Sequence, residues 1–168
     1  MKYEIAYLST SGNTEKLAHG IADYLPVSET FVTDLRVEDV TGQAEIYIIG
    51  FGMKNEAIPI DVMNVLEELE GKTIMFFVTA SVEPTDEMVA SIERKLDPFL
   101  PMDCDYRGLY LCRGQVSDST IEKLEGILQE QPDNEKVQFA LDMCKKTKGH
   151  PNNEDISAAY RFIKENLE

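Results

Sequence analysis

Residues 9–14 read STSGNT, and this stretch decides most of what the sequence implies. It follows an apolar run that ends at Leu8, and it precedes a helical pattern that begins at Thr14. The free N–H groups and positive dipole end of a helix face such a loop. Its hydroxyls add donors, and Gly12 allows a left-handed backbone or a close approach. A strand, a hydroxyl-rich loop and a helix N-terminus in this order predict a phosphate-binding site.

This loop differs from the Walker A loop of nucleotide-hydrolysing proteins, because the Gly-Lys-Ser/Thr ending is absent. The loop contains no lysine, so only N–H groups, hydroxyls and the helix dipole would neutralise a phosphate. The pattern favours a firmly held phosphate monoester over a transferred phosphoryl group, since transfer requires stabilisation of moving charge.

Alternating strand and helix patterns extend outward from this loop. Near-continuous apolar runs, rich in β-branched and aromatic residues, are typical of strands buried on both faces of a parallel sheet. The order predicts an α/β fold with a doubly wound five-stranded parallel sheet and ligands at the carboxyl ends of the strands. The predicted strands are 2–8, 30–33, 45–50, 73–80 and 106–111, and the helical stripes between them are 14–25, 60–69 and 88–99.

The last third of the chain is predicted to be helical. Ser119 and Glu122 have the spacing of a capping box ahead of one apolar stripe, and a second stripe includes Leu141. A final helix opens at Asn153. The length predicts one domain, residues 1–168, with a helical insertion at about 115–150.

Composition restricts the possible functions. The formal net charge of −15 opposes binding to nucleic acid and to anionic membrane surfaces. No apolar stretch approaches the roughly 20 residues of a membrane helix. Three cysteines, Cys104, Cys112 and Cys144, form no CxxC pair and favour a reduced, cytoplasmic setting. The acidic charge fits either simple solubility or steering toward partner proteins with basic surfaces.

The spacing Tyr7-x-Ser9-x-x-Gly12-x-Thr14-x-x-x-Ala18-x-x-Ile21 resembles the flavodoxin signature. The resemblance implies a flavodoxin-like fold with strand order 2-1-3-4-5. It also implies a bound FMN whose phosphate lies in the first loop. The phosphate-binding residues would then be Ser9, Thr10, Ser11, Gly12, Asn13 and Thr14.

By the same resemblance, two further loops would hold the flavin ring. The loop after the third strand lies against the inner part of the ring in flavodoxins. Phe51 or Met53 would either cover the ring there or pack into the core. The loop after the fourth strand would supply backbone contacts, and Glu83 would disfavour the anionic reduced flavin. The expected residues are Phe51, Gly52, Met53, Lys54 and Asn55 in the second loop, and Thr79, Ala80, Ser81 and Glu83 in the third.

The chain departs from flavodoxins in two respects. It has no tryptophan, and its third loop has no aromatic residue. Tyr106 or Tyr110 could compensate, although strand residues more often belong to the core. A helical insertion also follows the fifth strand. This insertion either roofs the site as a lid or docking surface, or packs at the edge of the sheet for stability. Cys112 has no histidine nearby in sequence and is not expected to be a nucleophile.

Three functions are compatible with these residues. The first is an FMN-dependent electron carrier between redox partners with basic docking surfaces, since no catalytic acid, base or nucleophile is evident. The second is a small FMN oxidoreductase that acts on a quinone or another organic acceptor, or the dedicated electron donor of such a reductase. The third is a non-redox module that binds a phosphate-bearing ligand.

Overall fold

A computed structural model describes residues 1–54 and 56–168 of the chain. Within these residues the chain forms five β-strands and six α-helices. In chain order they are β1 (Tyr3–Leu8), α1 (Asn13–Ala22), β2 (Thr30–Asp34), β3 (Ile46–Gly52), α2 (Ile60–Glu67), β4 (Thr73–Ala80), α3 (Asp86–Leu96), β5 (Asp105–Arg113), α4 (Asp118–Glu130), α5 (Glu135–Lys145) and α6 (Asn153–Leu167).

The five strands form one parallel sheet in the order β2-β1-β3-β4-β5, which confirms the predicted topology. The chain runs outward from β1 in both directions, so the switch point lies between β1 and β3. Loops that follow these two strands meet at the carboxyl edge of the sheet, where ligands bind in doubly wound folds.

Side-chain alternation divides the core into two layers. Along β3, Tyr47 and Phe51 face α2 and α3, whereas Ile48 faces α1 and α6. Gly50 also points to the second layer, where an added Cβ would collide with the ring of Phe77. The ring of Phe77, on β4, therefore fills the space that Gly50 leaves on β3. Close packing of the core depends on this pair of residues.

Two local predictions were wrong. Ile60 is the first residue of the predicted apolar stripe 60–69 and begins α2, but it is 70% exposed. The buried residues of this helix are Val62, Val65 and Leu66, which lie on another face. The N-cap of α4 is Ser117 rather than Ser119, and the Ser117 hydroxyl accepts from the backbone N–H of Thr120. The helix begins earlier than predicted, since the chain turns soon after it leaves β5.

A buried carboxylate ties the segment between β2 and β3 to the sheet. Glu4 is fully buried on β1, and it accepts from Thr33 Oγ1 at 2.8 Å. It also accepts from the N–H of Thr41 at 2.8 Å and from its hydroxyl at 2.6 Å. The local sequence around Glu4 contains no signal of this cluster, because the partners lie 29 and 37 residues away.

The insertion forms a helical hairpin, α4 and α5, that stands apart from the core. All of its helical residues are described, and among them only Leu141 is buried. The chain enters and leaves the hairpin through a neck, residues 114–116 and 147–150. Across this neck the N–H of Val116 donates to Thr147 Oγ1 at 2.9 Å. The hairpin therefore adds surface at the end of β5 and little to the core.

Candidate cofactor site

A cavity of about 530 Å³ opens at the carboxyl edge of the sheet. Its volume falls within the range of about 300–1,000 Å³ that small-molecule and cofactor pockets span. The predicted residues that line it are Thr10, Ser11 and Asn13 in the first loop, Gly52, Met53 and Lys54 in the second, and Thr79, Ala80 and Ser81 in the third.

The first loop leaves the N-terminus of α1 open to an anion. Gly12 is the N-cap, with a φ of 92°, and no side chain of the described residues caps this helix. Ser9 is buried, and its hydroxyl accepts from the N–H of Gly12 at 3.1 Å, which holds the turn of the loop. The first N–H groups of the helix and the exposed hydroxyls of Thr10 and Ser11 are therefore left for a ligand.

Thr14 and Thr79 join the first and third loops below the cavity. Their hydroxyl oxygens lie 2.8 Å apart, and both side chains are buried. Gly52 passes over the pair, since a Cβ there would lie 3.4 Å from Thr79 Oγ1 and 3.6 Å from Thr14 Oγ1. The Thr14 side chain thus bonds within the protein, and its backbone N–H in the first turn of α1 is among the groups left for a ligand.

Two predicted site residues lie elsewhere. Phe51 is fully buried on the face covered by α2 and α3, where its ring meets the edge of Phe76. Met53, the other candidate cover from the second loop, lines the cavity. Glu83 forms an ion pair with Arg113 and is absent from the cavity lining in the described residues. The predicted site residue Asn55 lies outside the described residues.

Neither Tyr106 nor Tyr110 lines the cavity. Tyr106 lies near the start of β5, at the opposite end of the sheet, and its hydroxyl donates to Glu93 Oε1 at 2.7 Å. Tyr110 packs against Phe162, and burial raises its pKa to about 12. Among the described residues no aromatic side chain lines the cavity, whose apolar lining is Met53, Ala80, Val116 and Cys144.

The two cysteines near this edge differ in exposure. Cys112 is buried on β5, and burial, followed by the negative charge of Asp155, raises the pKa of its thiol to about 12. The thiol stays protonated at neutral pH and is unsuited to nucleophilic attack. Cys144 is half-buried in the cavity wall. Over the described ranges, no group of His, Cys, Asp and Glu residues could hold a metal ion.

The neck and the hairpin supply a fourth wall of the cavity, whose residues were not among the predicted site residues. Gln115, Val116 and Ser117 continue from the end of β5 into the cavity lining, and Thr120 and Cys144 join them. A signal for the first three was present, because the fifth strand ends at the edge where the other loops gather. The sequence contained no signal for the direction in which α4 leaves that edge.

Known proteins share this sequence pattern over almost the whole chain. A family model described as the flavodoxin domain matches residues 4–164. The chain belongs to the flavodoxin domain family. A flavodoxin-like domain-containing protein BilS of Clostridioides difficile (strain CD3) is 26% identical over 167 residues, which cover 98% of this chain and 95% of that protein. The protein of the same name in Clostridium symbiosum (strain WAL-14163) is 23% identical over 180 residues, 97% of this chain and 94% of that one.

Solved structures share the fold of this flavodoxin-domain chain at low sequence identity. Two-electron reduced flavodoxin of Megasphaera elsdenii aligns with a TM-score of 0.52 and 16% identity, over 70% of this chain and 89% of that one. A flavoprotein of Lactobacillus acidophilus in complex with FMN aligns with a TM-score of 0.52 and 13% identity, over 73% and 97%. In the described part of this flavodoxin-domain chain, no helix combines the length and apolar character needed to cross a membrane.

The donor set of the cavity fits FMN. The N–H groups of α1 and two hydroxyls match a phosphate monoester, and Met53 and Val116 in the lining offer apolar surface to a flat ring. Lys54 adds a positive charge to the lining. The cavity therefore offers groups that match both the charged and the apolar part of this cofactor.

Proposed function

We propose that the protein binds FMN in this cavity and carries electrons between redox partners. The observation that carries the proposal is the uncapped N-terminus of α1, which opens with the hydroxyls of Thr10 and Ser11 onto a cofactor-sized cavity. FMN supplies electron-transfer chemistry when it is bound, and the protein supplies binding, orientation and electrostatics.

The composition of the cavity lining supports a carrier. Among the described lining residues, the titratable side chains are Lys54 and Cys144, and no carboxylate or imidazole is present. Imidazoles and carboxylates are the groups that most often move protons to or from a substrate in enzymes. A carrier needs none, because its residues only hold the cofactor, set its electrostatic environment and limit its contact with water.

The acidic surface supports redox partners with basic docking surfaces as part of the same proposal. At a net charge of −15, the chain attracts positively charged proteins and repels other copies of itself. Three free cysteines agree with a reduced, cytoplasmic location. Electron transfer to a basic partner should therefore slow as ionic strength rises, because salt screens the attraction.

The first test is the affinity of the protein for FMN and for riboflavin, which lacks the phosphate. We expect the purified protein to be yellow. Otherwise we expect quenching of flavin fluorescence to show a much higher affinity for FMN than for riboflavin. Gly12→Leu should weaken FMN binding at least about tenfold and riboflavin binding much less, because it damages only the phosphate end. Gly12 has a φ of 92° and open space where a Cβ would lie.

Gly42→Leu is the matched control for this test. Gly42 also has a positive φ, 69°, and open space around a Cβ, but it lies outside the cavity lining. It should cause similar backbone strain without selective loss of FMN. Equal losses of affinity for the two flavins in Gly12→Leu would contradict the assignment of residues 9–14 as the phosphate site. If the wild type binds neither flavin, a non-redox module for a phosphate-bearing ligand becomes the better description.

A small FMN oxidoreductase is the second candidate. The hairpin wall favours it, because Ser117 and Thr120 add hydroxyls on a side of the cavity where a substrate could bind. Anaerobic mixing of the FMN-loaded protein with NADH or NADPH and a soluble quinone separates the two functions. Rapid oxidation of the nicotinamide by this protein alone would favour the enzyme, and inertness without a reductase would favour the carrier.

A further inference from the structure

One side chain joins the phosphate loop to the hairpin neck. Asn13 is the first residue of α1, and its Nδ2 donates to the backbone carbonyl of Gln115 at 3.0 Å. Both residues line the cavity. The same amide group therefore belongs to the candidate phosphate site and to the base of the insertion, 102 residues apart in sequence.

Gly114 makes this contact possible. A Cβ at this position would lie 2.7 Å from Asn13 Nδ2 and 3.1 Å from its Cγ. The conflict concerns space and not backbone strain, because the φ of Gly114 is not in the left-handed range. A side chain at this position would displace the amide end of Asn13 and press on its Cβ, which would lie 3.3 Å away.

Gln115 is itself fixed from the far side of the neck. Its N–H donates to the carbonyl of His150 at 2.8 Å, and its Oε1 accepts from the N–H of Gly149 at 2.8 Å. On the sheet side, the N–H of Gly114 donates to the carbonyl of Ala80 at 2.8 Å. The Gln115 carbonyl that faces Asn13 is thus held between the sheet and the exit of the hairpin.

We propose that Gly114 and Gln115 are positioning residues of the cofactor site, which act through Asn13 on the phosphate and link its binding to the hairpin neck. A primary amide has two N–H groups. The one bonded to Gln115 sets the orientation of the amide plane and leaves the other for an anion at the start of α1. This inference rests on the proposed binding of FMN, and it concerns how this chain recognises the phosphate.

The test compares the wild type with Gly114→Ala, Asn13→Ala and the double variant. Gly114→Ala should raise the Kd for FMN about tenfold, the effect of one hydrogen bond to a charged group, and change the Kd for riboflavin less than about twofold. Asn13→Ala should show the same selective loss. The double variant should lose no more than either single variant, because both substitutions remove the same donor.

Gly126→Ala in α4 is the matched control, since Gly126 has open space around a Cβ and lies outside the cavity lining. It should leave both affinities unchanged. A second measurement follows amide hydrogen exchange in the wild type. The N–H of Gly149, which donates to Gln115 Oε1, should exchange more slowly with FMN than with riboflavin, because coupling between two sites is reciprocal.

Three results would overturn the inference while FMN binding by the wild type stands. They are equal losses for both flavins in Gly114→Ala, an unchanged FMN affinity in that variant, and additive losses in the double variant. A wild type that binds neither flavin would overturn the proposed function, and this inference with it. Circular dichroism and thermal melting of each variant show that the compared proteins are folded.

Discussion

In β3 every residue from Ile46 to Phe51 is buried, whereas in α4, all of which is described, none of the 13 residues is. Burial of apolar surface is the main favourable contribution to folding. The sheet and its four covering helices therefore hold the stability of this protein, and the hairpin of α4 and α5 holds one wall of the cavity. We therefore expect substitutions in the sheet to change stability and substitutions in the hairpin to leave it nearly unchanged.

The largest effect is expected from Gly50→Ala in β3. The new methyl group would collide with the ring of Phe77 inside the core, so the free energy of unfolding should fall by about 3 kcal/mol or more. Gly126→Ala in α4 meets no atom within 4 Å and should raise it by about 0.5–1 kcal/mol, since alanine is the better helix former. Urea unfolding of both variants measures the difference, and equal effects would contradict the comparison.

Removal of the buried acid of β1 should have the next largest effect. Glu4→Ala leaves the hydroxyl of Thr33 and the N–H and hydroxyl of Thr41 without their acceptor, at a cost of about 2–4 kcal/mol. Glu122→Ala removes an exposed acid from α4 and should change stability by less than about 0.5 kcal/mol. A small loss in Glu4→Ala would mean that water replaces the carboxylate in this cluster.

Replacement of the whole hairpin should affect stability little. Residues 118–145 can be exchanged for a short Gly-Ser linker, because the N–H of Val116 already lies 2.9 Å from Thr147 Oγ1. We expect the free energy of unfolding to change by about 1 kcal/mol or less, since only Leu141 is buried there and a flexible loop closes at modest cost. FMN affinity should fall, because Thr120 and Cys144 are removed from the cavity wall. A linker variant that fails to fold would show that the hairpin stabilises the sheet.

The thiols of the two regions, Cys144 in the hairpin and Cys112 in β5, should also differ in reactivity. Iodoacetamide at pH 8 should modify Cys144, which is half-buried in the cavity wall, and leave Cys112 intact, because burial raises its pKa to about 12. Bound FMN should slow the reaction of Cys144. Mass spectrometry of the wild type and of Cys144→Ser locates the label, and rapid modification of Cys112 would show that β5 opens at this end.

Strand positions were predictable where the apolar pattern was long. The run at 73–80 predicts β4 with the bounds that the structure has. For β5 the predicted range, 106–111, is shorter than Asp105–Arg113. Pairing with β4 extends the strand, since Ala80 lies opposite Arg113 in the ladder. A ladder partner is information that the local pattern of a single strand does not contain.

The site was predictable where it depends on the ends of strands, and less so where it depends on side-chain direction. Phe51 ends an apolar run without alternation, so its sequence does not show which face it takes. Glu83 pairs with Arg113, 30 positions away, and Asn13 bonds to Gln115, 102 positions away. Contacts of this kind arise from the tertiary fold, and neither residue spacing nor composition encodes them.

The position of α6 at the end of the described fold has a consequence for folding during synthesis. The helix packs on α1 and β5, where Ile156 fills the space beside Gly20 and Ile163 enters the core. These residues are synthesised after all five strands, so one face of the sheet lacks part of its cover while translation continues. Synthesis of the hairpin lengthens this interval by seconds, at about 5–20 residues per second. The nascent protein therefore exposes an apolar surface to chaperones for longer than a chain without the hairpin would.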